Sequence, residues 1–345
     1  MAKTIFEIDK NMKNNDYESM NLDDCTFYNL NNDYLLGQGI RNDFKRIRDD
    51  IYISENVDIL RKHPAGLNII FNTNSTIIKV KAKLAGAAYM SHMTAVGTIG
   101  FGLYVLKNNK WLFLGATKVN SSDYVATIIK NMDRKLNTYR LYFPLYQELK
   151  EAYVGVDEKA KFEFIKPKMD NLVIYGTSIS QGGCATRPGM DYGAILGRLL
   201  NLNVINLGFS GSCKIEENMV KVLNEIDKKY LLLELESNSP GYDHMKEHLT
   251  YMLDHLENKD QFDIYLISHF ADTETLVNKN LKKYRQGFKE LQKSFKDVIF
   301  LDGEALTKEL DYEGTVDGVH MTDLGFYHLA KKLAKILRDK KWLDI

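Results

Sequence analysis

A serine, a histidine and an aspartate occur in segments where their types could support acyl transfer. Ser178 stands in YGTSISQGG (175–183), directly after the apolar run LVI. Asp317 precedes His320 by three residues in TVDGVHMTDLGF (315–326). A serine hydroxyl is a weak nucleophile until a base takes its proton, and a carboxylate at the other ring nitrogen orients that base. We therefore predict Ser178 as nucleophile, His320 as base and Asp317 as its orienting acid; taken singly, they could be turn or helix-capping residues.

Two further segments offer hydrogen-bond donors for the oxyanion that forms during acyl transfer. Gly208 in NLGFSGS (206–212) allows close approach of a backbone N–H, and Asn238 in ESNSPG (236–241) has a side-chain amide. The backbone N–H of Ser178 is the third predicted donor. The alternatives are a turn glycine and an Asx-turn before Pro240.

The elements that must position these residues form an alternating pattern after about residue 168. Near-continuous apolar runs are typical of parallel strands buried on both faces, and five of them alternate with stretches of helical length. We predict a flavodoxin-like, doubly wound parallel sheet, whose ligands bind at the carboxyl ends of the strands. The predicted strands are 171–175, 203–207, 230–235, 262–268 and 297–301, and the predicted helices are 190–201, 214–228, 243–259, 276–295 and 322–340.

The first half of the chain has a different period. Residues 66–84 alternate apolar and polar side chains around NTNS, and residues 98–116 do so around KNNK, so each segment predicts a β-hairpin. Residues 136–146 predict another strand. Short strands with polar turns favour an all-β sandwich or jelly roll. The predicted domains are 1–167, including an irregular N-terminal segment, and 168–345.

Composition narrows the classes of partner. Lys and Arg number 46 and Asp and Glu also 46, so no basic surplus indicates nucleic acid, and no apolar run is long enough to span a membrane. The N-terminus lacks the apolar core of a signal peptide, and we expect a cytoplasmic protein. The three cysteines, Cys25, Cys184 and Cys213, are odd in number and lack metal-ligand spacing, so we interpret them as packing thiols.

The functional residues occur in an order that resembles the four sequence blocks of the SGNH (GDSL-type) hydrolases. These blocks are Ser178 in YGTSISQGG, Gly208 in NLGFSG, Asn238 in ESNS, and Asp317 with His320 in DGVH. GTSIS is not the Gly-x-Ser-x-Gly elbow of α/β-hydrolases. The resemblance implies the catalytic and oxyanion roles given above for the five residues.

The resemblance extends to a branch of the family with an N-terminal β-sandwich domain. HPAGLNIIFNTNSTIIKV and the later GFGLY look like that domain. The chain departs from the family pattern at three places. It has Gly-Thr-Ser instead of Gly-Asp-Ser, Glu236-Ser237-Asn238-Ser239 instead of Gly-x-Asn-Asp, and Gly102 where the N-terminal domain usually has aspartate.

This resemblance implies a serine esterase that acts through an acyl-Ser178 intermediate, without a cofactor or metal. The expected partner is a small-molecule or oligosaccharide acyl ester, in particular an acetylated sugar. Neither nucleic acid nor a membrane is an expected partner. The alternatives are a thioesterase, lipase or acyltransferase with the same triad, or an inactive carbohydrate-binding protein. The N-terminal domain would shape the cleft or mediate assembly of a homo-oligomer.

Three residues outside the blocks are candidates for substrate binding. They are Arg187 in TRPG, His269 at the end of the fourth predicted strand, and His92 in YMSHM, a loop that we expect to reach the cleft. The alternatives are a surface salt bridge, a structural histidine and domain packing, respectively. His244 and His248 have an i,i+4 spacing that can bind zinc, but a solvated helix face is the preferred interpretation.

Overall fold

The computed structural model describes residues 3–9, 12, 24–87 and 90–339. Its first half contains two antiparallel sheets, with strand orders β1-β8-β3-β6 and β5-β4-β7-β2-β9. The strands are β1 (Cys25–Asn29), β2 (Asn68–Thr73), β3 (Ile78–Leu84), β4 (Gly102–Lys107), β5 (Lys110–Ala116), β6 (Asp123–Ile129), β7 (Asn137–Tyr142), β8 (Leu149–Asp157) and β9 (Phe162–Ile165). Three short helices accompany them: α1 (Ile5–Ile8), α2 (Glu55–Leu60) and α3 (Ala95–Ile99).

The two sheets enclose one apolar core, as a sandwich requires. Ile69 and Phe71 of β2 share a buried cluster with Ile78 and Val80 of β3, which lies in the other sheet. Alternate residues of each strand point into this cluster because successive side chains in a strand face opposite sides. The predicted sandwich is therefore confirmed.

One of the two predicted hairpins is confirmed and the other is wrong. Strands β4 and β5 pair antiparallel, and their two-residue turn has Asn108 and Asn109 at φ 48° and 59°, as a type I′ turn requires. Strands β2 and β3 do not pair, because β2 pairs with β7 and β9, whereas β3 pairs with β6 and β8. The NTNS segment instead crosses between the sheets, where Asp157 accepts hydrogen bonds from Ser75 Oγ at 2.9 Å and Thr76 N at 2.9 Å.

The second half is a parallel sheet with helices on both faces, in the strand order β11-β10-β12-β13-β14, which confirms the flavodoxin-like prediction. None of the described helices has both the length and the apolar character to cross a membrane. The strands are β10 (Asn171–Gly176), β11 (Asn203–Gly208), β12 (Tyr230–Glu234), β13 (Asp263–Ile267) and β14 (Ile299–Leu301). The helices are α4 (Ser178–Gln181), α5 (Tyr192–Leu200), α6 (Glu217–Glu225), α7 (Tyr242–His255), α8 (Lys279–Ser294), α9 (Gly303–Thr307) and α10 (Asp323–Asp339).

Both faces of this sheet are buried, which explains the continuous apolar runs. Leu172 and Ile174 of β10 pack with α5 and α10 on one face, and Val173 and Tyr175 pack with α6, α7 and α8 on the other. Residues before β2 extend the second face, since Ile47, Ile53 and Val57 belong to the same buried cluster. The chain therefore passes from sandwich to parallel sheet between β9 and β10, yet part of its first half completes the core of the second.

Candidate active site

Ser178, His320 and Asp317 form a continuous hydrogen-bonded series at the carboxyl edge of the parallel sheet. Ser178 is the first residue of α4, directly after β10, and its Oγ lies 2.9 Å from His320 Nε2. His320 Nδ1 lies 2.8 Å from Asp317 Oδ2. The carboxylate accepts the Nδ1–H proton, which leaves the Nε2 lone pair directed at the serine hydroxyl. This order of contacts is what proton removal from a serine nucleophile needs.

The loop of residues 317–320 holds the carboxylate ionised. Asp317 Oδ1 accepts from the backbone N–H groups of His320 at 2.8 Å and Val319 at 3.1 Å. Burial by itself raises the pKa of Asp317, but the hydrogen bonds from the His320 ring and these two amides lower it to about 2. Gly318 makes this turn at φ 91°, where an added Cβ would lie 2.1 Å from Thr273 Oγ1, so the position requires glycine.

A buried carboxylate beneath α4 fixes the position of the nucleophile. Glu234, at the end of β12, accepts from Thr177 N at 3.0 Å, Thr177 Oγ at 2.7 Å and Ser180 Oγ at 2.9 Å. Ser180 Oγ also lies 2.7 Å from the hydroxyl of Tyr192. Burial raises the pKa of Glu234 to about 7, while its hydrogen bonds to Thr177 and Ser180 oppose that rise. Ser178 thus lies between two residues that are both anchored to one carboxylate.

The structure corrects the role predicted for Gly208. Its backbone N–H donates to the side-chain oxygen of Asn206 at 2.9 Å, so it is not available to an oxyanion. The amide of Asn206 in turn donates to Ser180 O at 2.7 Å. An added Cβ on Gly208 would lie 2.2 Å from Gln181 N, which shows that glycine is needed here for the close approach of β11 to α4.

Gly211, three residues further on, has the properties that Gly208 lacks. It has φ 66°, and no atom lies within 4 Å of the position of an added Cβ, so its backbone borders open space. Nearby, Asn238 Oδ1 accepts from Cys213 N at 3.4 Å, which orients the amide. Within the described residues, no acceptor takes a hydrogen bond from Gly211 N–H, Ser178 N–H or Asn238 Nδ2. These three groups are free to donate to a ligand.

The three candidates for substrate binding have different surroundings. His92 reaches the triad, since its ring centroid is 5.8 Å from that of His320. Arg187 donates to the hydroxyl of Tyr104 at 2.6 Å, and its guanidinium lies 3.6 Å from the ring centroid of Phe113. Its guanidinium therefore contacts residues of the N-terminal sandwich.

His269 does not contact the triad through any described hydrogen bond. It is buried, its Nδ1–H donates to Phe270 O at 2.5 Å, and burial lowers the pKa of its ring to about 4. Its ring lines a separate cavity of about 60 Å³ together with Asp272 and Arg285. The rings of His244 and His248 face the carbonyl oxygens of Lys214 and Ile215, so these histidines bind the backbone.

Sequence reasoning missed three residues of this site, and two of them left a signal. Glu234 is a carboxylate within the apolar run YLLLEL, where an unpaired charge would be costly, so a buried partner could have been expected. Asn206 likewise interrupts the apolar run NVINL. Gly211 left no signal that distinguishes it from Gly208, because the difference between the two glycines is where each N–H points.

Comparisons with known families account for both halves of the chain. Residues 169–338 match the GDSL-like lipase/acylhydrolase family, and residues 25–162 match the family described as the N-terminus of SGNH-hydrolase-type esterases. The short name of the second family, GxDLY, corresponds to GFGLY at residues 100–104. An added Cβ on Gly102 would lie 2.3 Å from Pro188 O, so the close packing at this position leaves no room for a side chain. A comparison with curated proteins found no match.

Solved structures share the complete architecture. A protein of Bacteroides ovatus ATCC 8483 described as a GDSL-like lipase is 29% identical with a TM-score of 0.84, over 91% of this chain and 98% of that one. The salicylyl-acyltransferase SsfX3 of a tetracycline biosynthetic pathway is 14% identical with a TM-score of 0.71, over 91% and 98%. A family two carbohydrate esterase from Cellvibrio japonicus is 11% identical with a TM-score of 0.54, over 91% and 97%. The chain belongs to the SGNH (GDSL-type) hydrolases, in the branch whose α/β domain follows a β-sandwich.

Proposed function

We propose that this protein is a serine esterase that removes small acyl groups, in the first instance acetyl groups from a sugar, through an acyl-Ser178 intermediate. The observation that carries the proposal is the series of two short contacts, 2.9 Å from Ser178 Oγ to His320 Nε2 and 2.8 Å from His320 Nδ1 to Asp317 Oδ2. A hydroxyl, an imidazole and a carboxylate in that order can generate an alkoxide and return a proton to a leaving group.

In the first half-reaction, His320 Nε2 takes the hydroxyl proton while Ser178 Oγ attacks the carbonyl carbon of the ester. The oxyanion that forms accepts hydrogen bonds from Ser178 N–H, Gly211 N–H and Asn238 Nδ2. The imidazolium, stabilised by Asp317, then protonates the alkoxide oxygen of the leaving group. The C–O bond breaks, the alcohol departs and the acyl group remains on Ser178.

In the second half-reaction, a water molecule replaces the alcohol. His320 Nε2 removes one of its protons, the hydroxide oxygen attacks the acyl carbon, and the same three donors hold the second oxyanion. Collapse returns the proton from the imidazolium to Ser178 Oγ and releases the carboxylic acid. Water can reach this position, since the side chain of His320 is 27% exposed and that of Asp317 is 38% exposed.

The choice of a sugar acetate is supported by architecture. The family two carbohydrate esterases from Clostridium thermocellum and Cellvibrio japonicus share this fold over most of the chain, at 14% and 11% identity. We also propose that the protein is located in the cytoplasm.

Acyl transfer to an acceptor other than water is the second candidate, favoured by the likeness in fold to the salicylyl-acyltransferase. The exposure of His320 favours water. The two outcomes are distinguished by adding increasing concentrations of alcohols or sugars to the reaction with p-nitrophenyl acetate. A transferase would divert the acyl group to the acceptor in preference to water, whereas a hydrolase would continue to release acetate.

The test uses p-nitrophenyl esters first and acetylated sugars second. We expect rapid release of p-nitrophenol from the acetate ester, falling as the acyl chain lengthens, and no release by Ser178→Ala above the uncatalysed rate. Ser294→Ala is the control, because Ser294 is the last residue of α8, away from the triad, and its hydroxyl donates to Leu291 O at 2.7 Å. A panel of acetylated mono- and oligosaccharides, scored by released acetate, then identifies the acceptor. Equal rates for wild type and Ser178→Ala would refute the proposal.

A further inference from the structure

We propose that His92, Cys184 and His320 form a binding site for a thiophilic divalent cation such as Zn²⁺, and that its occupation blocks the enzyme. The existence of the site rests on geometry alone, whereas the inhibitory effect rests on the proposed esterase function. One of its ligands, His320, is the proposed catalytic base, but the bound cation itself takes no part in ester hydrolysis.

The three side chains present suitable ligand atoms close together. One ligand atom from each residue lies within 4.8 Å of the other two. A search of the described residues for three or more histidines, cysteines or carboxylates this close together finds this group. Tetrahedral zinc, with Zn–N of about 2.0–2.1 Å and Zn–S of about 2.3 Å, holds its ligand atoms roughly 3.3–3.7 Å apart. Small side-chain rotations would therefore bring the three ligand atoms to the distances that zinc requires. A water molecule or Ser178 Oγ would complete the tetrahedron as the fourth ligand.

Two features of the backbone place His92 next to Cys184. His92 precedes α3 in a turn whose next residue, Met93, is buried in the core beneath α5 and α10. At Gly97 an added Cβ would lie 2.3 Å from Ala185 O, so α3 packs directly on the loop that carries Cys184. The exposed His92 is thereby fixed over the buried Cys184, although the two come from different halves of the chain.

The third ligand is already oriented as in known zinc sites. Asp317 accepts the Nδ1–H of His320 and so leaves Nε2 as the free ligand atom, which is the carboxylate–histidine arrangement that supports metal binding. The same Nε2 lone pair must take the proton of Ser178 during catalysis. One lone pair cannot serve the metal and the proton together, so a bound cation excludes the acylation step.

The chemistry of Cys184 limits which cations can bind. A cysteine binds a metal ion as the thiolate, so a cation must displace the proton of this buried thiol to solvent. Cations that form strong thiolate bonds, such as Zn²⁺ and Co²⁺, can do so, whereas Mg²⁺ and Ca²⁺ prefer oxygen ligands. We therefore expect inhibition by Zn²⁺ and none by Mg²⁺ at equal concentration.

The test of binding uses Co²⁺ as a spectroscopic probe on the full chain after dialysis against a chelator. We expect one equivalent of Co²⁺ to produce a thiolate-to-cobalt charge-transfer band that Zn²⁺ abolishes. Cys184→Ala should lose this band, while Cys213→Ala, the matched buried cysteine, should keep it. His92→Ala, at an exposed position that should not disturb folding, should weaken binding at least about tenfold. A band of equal strength and affinity in wild type and Cys184→Ala would overturn the proposal.

The test of inhibition separates this proposal from the function on which it rests. In the chelated protein, Zn²⁺ should abolish p-nitrophenyl acetate hydrolysis over the same concentrations at which it displaces Co²⁺, and chelator should restore the activity. Cys184→Ala should hydrolyse the ester but resist Zn²⁺. An active enzyme with neither band nor inhibition refutes the metal site alone. A Cys184-dependent band in a chain that never hydrolyses esters refutes the proposed function and leaves the metal site standing.

Discussion

The ring of His320 makes two hydrogen bonds with separate consequences for catalysis. The contact at Nδ1 sets the tautomer, and the contact at Nε2 gives the ring access to the proton of Ser178. Because Asp317 has a pKa of about 2, its charge is present at every pH at which His320 can act as a base. At the residue scale, catalysis therefore depends on a carboxylate that remains ionised.

Replacing Asp317 with asparagine should preserve the shape of the loop and remove this charge. We expect kcat/KM for p-nitrophenyl acetate to fall by up to about 10⁴-fold, as when the acid of a serine protease triad is replaced by its amide. Asp133→Asn, at a side chain that is 80% exposed, is the control. An Asp317→Asn variant with wild-type kcat/KM would show that His320 needs no carboxylate.

The same substitution has a consequence for stability. The folded pKa of Asp317 is depressed below its unfolded value of 3.8, so its stabilising effect is complete above about pH 4 and is lost as the pH falls through about 2. Wild type should thus lose its stability advantage over Asp317→Asn between pH 4 and pH 2. Urea unfolding at several pH values in that range measures the difference, and parallel curves would contradict the pKa shift.

Two asparagines at strand ends should respond differently to truncation. Asn238 has its Nδ2 free, so Asn238→Ala should lower kcat by about 10²–10³-fold with little change in the melting temperature. Asn206 is fully buried between Gly208 N–H and Ser180 O, so Asn206→Ala should lower the melting temperature. Measuring kcat and the melting temperature of both variants distinguishes a catalytic role from a structural one. An unchanged kcat in Asn238→Ala would remove this residue from the oxyanion site.

At the scale of elements, the start of α4 is held by a group that changes charge near neutral pH. Glu234 is a positioning residue, since it touches Thr177 and Ser180 and not Ser178 itself. Its carboxylate accepts from Thr177, whose own hydroxyl oxygen caps α4 by accepting from Ile179 N at 3.4 Å. The geometry of the nucleophile is therefore coupled to β12, the second strand after β10 in the chain.

Glu234→Gln should change how stability depends on pH. The folded pKa of about 7 exceeds the ordinary value of 4.5, so the contribution of this group is fully present below pH 4.5 and is lost as the pH rises through 7. Glutamine does not titrate, and the slope between pH 4.5 and pH 7 should flatten in the variant. Denaturant unfolding at pH 5, 6, 7 and 8 measures it, with Glu304→Gln at an exposed position as the control. An unaltered slope would refute the assignment.

The elements differ in how far the sequence could predict them. The five parallel strands were predictable because burial on both faces leaves near-continuous apolar runs. Ser178 was predictable because it follows the end of β10, and His320 because Asp317 precedes it by three residues. The pairing of β2 with β7 and β9 was not predictable, because alternation shows which side chains face the core but not which strand lies alongside. The sequence also could not show that Gly211, and not Gly208, has a free backbone N–H. That difference depends on the side chain of Asn206, which accepts from Gly208 N.

At the scale of the whole molecule, the two halves share structure that neither supplies alone. Arg46 is buried and donates to the carbonyl oxygens of Gly208 and Leu60, so it connects the end of β11 to the last residue of α2. Burial lowers the pKa of this guanidinium to about 9. The interface also includes the contact of Arg187 with Phe113. The first half thus supports the loop that carries Gly211, the proposed oxyanion donor.

This sharing predicts that the α/β half cannot be separated from the sandwich. A fragment of residues 168–345 lacks Ile47, Ile53 and Val57, each of which fills one buried cluster with β11. At about 1.5–3 kcal/mol for each buried aliphatic side chain, their loss removes on the order of 5 kcal/mol, comparable with the total stability of a domain. We therefore expect the fragment alone to lack a cooperative thermal transition and p-nitrophenyl acetate hydrolysis.

Co-expression of residues 1–167 with the fragment should restore both properties, because the missing side chains and Arg46 are then supplied in trans. The control carries Arg46→Ala and Val57→Asp in the first piece, which places a charge in the buried cluster and removes the contact to Gly208. It should fail to restore activity, since the loop of residues 208–213 would lose its support. If residues 168–345 unfolded cooperatively and hydrolysed the ester by themselves, the shared core would be a packing contact without a role in catalysis.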